Sequence, residues 1–317
     1  MKKWKLDMAV LCIFFARPEQ FEQCFEQVKK VRPRRLLLWQ DGPRNGREDD
    51  VENIRKCREI AENIDWDCEV YRNYHNTNMG CDPSTFYSHK WAFSIVDKCI
   101  ILEDDLIPSE SFFFFCKEML DKYENDTRID RICGTNLLGN YEIPYSYFFS
   151  RVGNSTGWAS WRRVAEKWQE DYRFMDNEYA VSRMRALQSS LKPHLVWEKE
   201  CLLHKSEKIP YWEHIIGAQT LLNSGLVIYP RVNMIKNVGL SVNSTHAPED
   251  ISKLPRYVQE YFNRASYEIQ FPLKHPEYIL EDRIFWELCL RKTKGNFMTR
   301  IVRLIERVLV KLKNIGR

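Results

Sequence analysis

The run Lys98-Cys99-Ile100-Ile101-Leu102 passes without a break into Glu103-Asp104-Asp105. An apolar segment of that length, bounded by polar residues, reads as a strand buried on both faces, the kind found in parallel sheets sandwiched by helices. Working back from it, the chain alternates strand and helix. Met8 to Phe15 reads as a strand. Pro18 to Val31 reads as a helix, with Phe21, Cys24, Phe25 and Val28 at helical spacing and Pro18 suited to the first turn. Arg34 to Gln40 is a second strand, closed by the turn signal Asp41-Gly42-Pro43, and Glu48 to Ile64 a helix. Glu69 to Arg72 and Pro83 to Val96 continue as strand and helix. The pattern predicts an α/β fold with a mostly parallel central sheet and helices on both faces.

Working forward, Ser109 to Glu124 reads as a helix with four consecutive phenylalanines, followed by an apolar segment from Ile129 to Asn136. Tyr145 to Arg151 and Leu226 to Pro230 read as strands. Gly157 to Trp168 reads as the opening of a Trp-rich helix, and Tyr211 to Asn223 as another. Tyr141 to Tyr147 and Leu240 to Leu254 are loop candidates. No internal repeat is present, which excludes a solenoid.

Composition narrows the function classes. The 317 residues are 44% hydrophobic, enough for a substantial core. A formal net charge of +4 is too small for a domain that coats nucleic acid. Ten cysteines lie scattered, with no C-x-x-C pair and no Cys/His cluster at zinc spacing, so they read as reduced thiols of a cytoplasmic protein. Met1 to Lys5 followed by Met8 to Ala16 imitates a secretion signal. Asp7 interrupts it, however, and Arg17-Pro18-Glu19 stands where small residues belong, so the segment reads as a buried first strand. No stretch approaches the ~20 apolar residues of a membrane-spanning helix.

Ligands of open α/β sheets bind outside the carboxyl ends of the strands. Those positions carry Arg17, Asp41, Asn78, Gly80 and the trio Glu103, Asp104 and Asp105. Three adjacent carboxylates repel one another unless a cation or hydrogen-bond donors separate them. Asp oxygens suit Mg²⁺ or Mn²⁺, which are commonly held by one or two carboxylates together with substrate phosphates. The residues therefore suit a metal-diphosphate site, and they equally suit an acidic turn ahead of the helix near Ser109. No Gly-rich phosphate loop of the dinucleotide or Walker type occurs, which argues against a dehydrogenase or ATPase.

The run Ile100 to Leu106, with Pro108 and Phe112-Phe113 behind it, resembles the Glu-Asp-Asp strand end of GT-A (Rossmann-like) glycosyltransferases, in particular N-acetylglucosaminyltransferase I and its bacterial relatives. Ala16-Arg17, Gln40-Asp41, Lys90-Trp91-Ala92, Gly157-Trp158 and Trp212-Glu213 fall in that family's order, an ordered motif set from about Met8 to His246. The resemblance implies a GT-A catalytic domain over 1–250, a helical extension over 251–296 and a tail over 297–317. It implies metal-dependent transfer of a sugar from a UDP-sugar donor to a saccharide or lipid-linked acceptor, with inversion, in surface polysaccharide or glycolipid synthesis.

Residue by residue, it implies that Arg17 and Asp41 hold the nucleotide, with Asp41 on the uracil, and that Lys90 approaches the nucleotide or its diphosphate. Asp104 would bond the ribose and Glu103 lie near the donor sugar. Asp105 would ligate Mn²⁺ (or Mg²⁺), with His246 completing the shell. Glu213 would be the general base, where the comparison enzyme has Asp, and Trp158 and Trp212 would stack on sugar. About forty charge-rich residues between Trp168 and Pro210 depart from the family and leave the acceptor open.

From Phe297 onward, apolar residues recur near helical period among six basic residues and one acidic one, a basic amphipathic pattern. A helix of that kind suits peripheral contact with an anionic membrane at the inner face of the cell, docking on the body of the protein, or pairing with a second copy. Two rivals to the glycosyltransferase reading are a nucleotidyltransferase that makes nucleotide sugars and a non-catalytic membrane-acting or sugar-binding protein. The first normally carries a Gly-rich loop near the first strand, which Phe14 to Pro18 lacks.

Overall fold

A computed structural model describes residues 2–187, 194–240 and 256–294 of the chain. Its elements begin with β1 (Leu6–Phe14), α1 (Pro18–Val31), β2 (Pro33–Gln40), α2 (Glu48–Ala61), β3 (Glu69–Tyr74), α3 (Cys81–Ile95) and β4 (Lys98–Glu103). Then come β5 (Leu106–Pro108), α4 (Glu110–Lys122), β6 (Ile129–Cys133), β7 (Tyr147–Ser150), β8 (Trp158–Trp161) and α5 (Arg162–Ala165). The remainder is α6 (Glu178–Leu187), α7 (His194–Glu207), α8 (Trp212–Leu222), β9 (Leu226–Pro230), β10 (Ile235–Asn237), α9 (Arg256–Phe262) and α10 (Arg283–Lys294).

Eight strands form one sheet in the order β3-β2-β1-β4-β8-β6-β9-β7. Six of them run parallel, and only β8 and β7 oppose the rest. The sequence alternates along β1 so that both faces are apolar. Leu6, Met8, Val10, Cys12 and Phe14 pack under α1, α2 and α4, while Ala9, Leu11 and Ile13 join the core under α3, α5 and α8. The chain is therefore an α/β protein with a large, mostly parallel sheet covered on both faces.

The order reverses between β1 and β4: from β1 the chain steps outward through β2 and β3, then returns to the other side. A reversal of strand order of this kind, where the loops leaving two adjacent carboxyl ends diverge, is where open α/β sheets form their ligand crevice. That crevice receives Arg17 and the Glu103 to Asp105 run.

One expected element is corrected. Gly157 to Trp168 does not open a helix: Trp158–Trp161 is strand β8, inserted antiparallel between β4 and β6, and only Arg162–Ala165 turns helical. All four β8 residues are buried. Trp158 faces the core under α3, and Ala159 and Trp161 face the core under α4, so the apolar residues follow a strand's two-residue period and not a helical one.

After α9 the chain runs as an irregular strap from residue 263 to 282 across the body. Ile269 and Leu273 enter the main core, and Glu268 accepts the backbone N–H groups of Glu110 (3.1 Å) and Ser111 (2.8 Å), capping α4 from outside. The loop candidate at Leu240 to Leu254 falls almost wholly, and the amphipathic tail over 297–317 falls wholly, outside the described residues. No described helix is long and apolar enough to cross a membrane.

Candidate active site

Each residue in the crevice is placed by the strand it follows. Arg17 directly precedes α1, whose first residue is Pro18. Its guanidinium reaches across to the end of β4, where Nη2 pairs with Asp104 Oδ1 and Nε donates to Asp104 Oδ2 (3.3 Å). Nη1 donates to Asp105 Oδ2 at 3.2 Å. The Phe15 amide also donates to Asp104 Oδ2 (3.2 Å), so both Asp104 oxygens are engaged, whereas Asp105 meets Arg17 through Oδ2 alone. The charge of Asp104, with Asp105 adding to it, holds the guanidinium firmly protonated against the cost of burial. The alternative partner suggested by sequence proximity, Glu19, is not the one used.

The carboxylates are tuned unequally. Burial raises the Glu103 carboxyl well above its ordinary range, and Asp105, Glu213 and Asp104 push it further by repulsion, with Arg17 opposing. Burial likewise raises Asp105, again opposed by Arg17. Cys81, at the start of α3, is exposed to solvent, yet its thiol is pushed up to about 12, by desolvation first and then by Glu103 and Asp82. The crevice therefore carries an excess of negative charge beyond what Arg17 neutralises.

Glu213 comes to the same site from far along the chain, in the first turn of α8, and its charge is felt at Glu103. Ser155 Oγ donates to Glu213 Oε1 (2.9 Å) and the Tyr211 hydroxyl to Oε2 (3.4 Å), which fixes the carboxylate's orientation. Next to Ser155, Thr156 shares a 2.7 Å hydrogen bond with the Tyr261 hydroxyl, and Tyr261 lies within electrostatic range of Asp105 and Glu103. From the other side, β10 pairs antiparallel with β5, bringing Gly239 over Asp105: a Cβ on Gly239 would stand 2.2 Å from Asp105 Oδ2. Tyr211, which the sequence offers with Trp212 as a sugar platform, serves here through its hydroxyl on Glu213. Nothing in the spacing points to Ser155, Thr156, Gly239 or Tyr261.

Asp41 is 6% exposed and ties the ends of β2 and β3 together. Its oxygens accept from the Gly42, Met79 and Gly80 amides (2.9, 2.9 and 3.2 Å) and from Asn78 Nδ2 (3.0 Å). Burial raises its pKa despite these donors. Gly42 packs so close to the Thr77 backbone that a Cβ would fall 2.3 Å from its nitrogen. A cavity of about 510 Å³ opens beside this double turn, lined by Arg44, Arg47, Asn76 and Asn78 among others.

Three expected residues do not join the crevice. Lys90 points from α3 toward α5, where Nζ donates to the Ala165 carbonyl at 3.4 Å. Trp158 and Trp212, 1% and 6% exposed, offer no face to a sugar. Both rings pack edge-on to His89 with centroids 5.1 Å away, forming a buried aromatic box with Trp168. The tryptophans belong to the core beneath α3, and the expectation of sugar stacking is corrected. His246 lies outside the described residues.

Among the described residues, no group of three or more His, Cys, Asp or Glu side chains is arranged to hold a metal. A protein-only cage is therefore not what these residues form. The donor chemistry fits a hard divalent cation held by Asp105 together with substrate oxygens, because Asp104 is committed to Arg17 and Phe15.

No protein-family model and no curated protein matches this sequence. Among solved structures, the 4-diphosphocytidyl-2C-methyl-D-erythritol synthase of Anaerococcus prevotii overlaps 51% of this chain and 76% of its own, at 13% identity and a TM-score of 0.31. TarS of S. aureus overlaps 52% of this chain and 48% of its own, at 10% identity and a TM-score of 0.32. The fold is accordingly read from the sheet order itself and not from these partial overlaps.

Proposed function

We propose that the chain is a GT-A-type glycosyltransferase that moves a sugar from a UDP-sugar to an acceptor hydroxyl with inversion. The observation that carries this reading is the meeting of Arg17, Glu103 to Asp105 and Glu213, from three distant parts of the chain, at the point where the strand order reverses. Breaking the bond between a sugar and a nucleoside diphosphate builds negative charge on the leaving group, and preorganised positive charge at that spot lowers the barrier. Within the chain Arg17 is engaged by Asp104 and Asp105 and orders those two carboxylates, which leaves the site net negative. Asp105 would hold a divalent cation together with the diphosphate, and that cation would supply the neutralisation of the leaving group.

Direct displacement at the sugar carbon needs a base on the face opposite the leaving group. Glu213 takes the acceptor's proton, oriented by Ser155 and Tyr211. Asp41 acts through the double turn it ties together, which shapes one wall of the cleft beside β2 and β3. The basic tail is proposed to rest on an anionic membrane surface and bring the site toward a lipid-linked acceptor.

Calorimetric titration of the purified chain with UDP and with GDP, each with Mn²⁺ and with EDTA, tests the reading. UDP binding that depends on Mn²⁺ and exceeds GDP binding by tenfold or more is expected. Failure of both nucleotides to bind the folded protein would overturn it.

A further inference from the structure

Arg131 lies in β6 and is 5% exposed. Among the described residues its guanidinium donates no hydrogen bond and makes no ion pair, and Nε is buried without a partner. Burying an unpaired guanidinium is costly, and native proteins pair such groups or use them to hold a ligand. The acid next to it in sequence, Asp130, feels the Arg131 charge but makes no ion pair with it, its carboxylate being packed against Gly225 on the other face of the strand. The Tyr229 hydroxyl, near enough to Arg131 to feel its charge, is taken up by the Cys133 sulfur.

The placement is specific. Gly153 rests directly on the guanidinium: a Cβ there would stand 2.3 Å from Arg131 Nη2, so a side chain at 153 would push the guanidinium aside. The Cys133 thiol donates to the Asn154 carbonyl at 3.0 Å and holds the loop down beside it. Two residues after Gly153, at most about 7 Å along the chain, Ser155 grips Glu213. The unpaired cation therefore packs under the same loop that holds the carboxylate assigned as base.

We propose that Arg131 forms an anion subsite beneath the loop 151–156 that takes an acidic group, carboxylate or phosphate, carried by the acceptor. The role of the acceptor rests on the function proposed above; the anion subsite itself does not. An acidic sugar or a phosphorylated acceptor is the substrate class implied.

The test is NMR of the ¹⁵N-labelled full chain, following the Arg131 Nε–Hε resonance and the Gly153 amide in two titrations, one with inorganic phosphate and one with acetate. A saturable shift of both signals is expected, while the other arginine side chains stay still. The stronger arm identifies phosphate or carboxylate. Arg131→Lys should weaken the Gly153 response tenfold or more, because an ammonium cannot offer the planar pair of donors. No shift in either arm, or equal shifts of all arginine side chains, overturns the proposal. If UDP and Mn²⁺ bind while Arg131 is silent, only the subsite falls. If Arg131 binds anions while UDP fails, the subsite stands and the acceptor assignment goes with the function.

Discussion

Glu103 shows how one residue can oppose folding in order to complete a site. Its carboxyl is raised by burial and by the charges of Asp105, Glu213 and Asp104. A carboxyl whose folded pKa exceeds its ordinary 4.5 holds its proton better when folded. The stability this gives is complete below the ordinary value and is lost as pH rises through the folded one. Glu103→Gln keeps the shape without the charge. It is expected to raise Tm by a few degrees at pH 8 and by nothing near pH 4.5, in thermal melts across that range; an equal gain at both ends would show that charge is not the cause.

His89 titrates with the opposite sign. Burial alone lowers it from 6.5 to about 3 inside its box of tryptophans. The unfolded chain takes up that proton below about pH 6.5, so stability is lost as pH falls from there toward 3, by up to about 1.4 kcal/mol per pH unit. His214, lowered to about 4, adds to the same acid limb. His89→Leu should flatten part of it, seen as a smaller Tm drop between pH 7 and pH 5 than in the unaltered protein.

At the scale of elements, the pairing of β10 with β5 decides whether Asp105 is presented correctly. The Val238 amide donates to the Asp105 carbonyl (2.8 Å) and Gly239 sits on its carboxylate. Gly239→Ala must displace that carboxylate or the strand. Mn²⁺-dependent UDP binding is expected to weaken at least tenfold in calorimetry, with Tm changed little; retained affinity would separate β10 from the site.

The same scale shows what the sequence could convey. The limits of α1 were readable because Pro18 marks its start, and β1, β2 and β4 because each is a short apolar run that ends in polar residues, whereas β3, Glu-Val-Tyr-Arg-Asn-Tyr, is a half-exposed edge strand whose last two residues lie beyond the expected Glu69 to Arg72. Arg17, Glu103, Asp104 and Asp105 were legible as strand-end residues. Strand β8 was not, since Trp-Ala-Ser-Trp is buried on both faces and shows no polar alternation. The two tryptophans looked like binding surface because aromatic residues serve cores and sugar platforms alike, and only burial tells these apart. Lys90 fits a phosphate contact by position in the chain, while helix phase turns it toward Ala165. Gly239 and Tyr261 reach the site through tertiary packing that no local pattern encodes.

At the scale of the whole molecule, charge is divided unevenly. The segment from Phe297 carries six basic residues and one acidic one, leaving the rest of the chain close to neutral, while the crevice is acidic. The attraction of an anionic surface therefore acts on the tail, and repulsion acts on the crevice. Removing residues 297–317 should abolish sedimentation with vesicles rich in anionic lipid and leave UDP affinity unchanged. Undiminished sedimentation would assign the tail to docking or pairing.

Nine of the ten thiols are buried or half-buried, and Cys81 alone is exposed. It stands at the first turn of α3, within reach of the charges of Glu103 and Arg17. A dye attached at that one sulfur would need no cysteine-free background. It would also be slow to attach at neutral pH, since the raised thiol is almost wholly protonated there. Whatever cation or nucleotide enters the crevice changes the field at that sulfur, so the rate of labelling itself becomes a gauge of occupancy, readable without any knowledge of the sugar transferred.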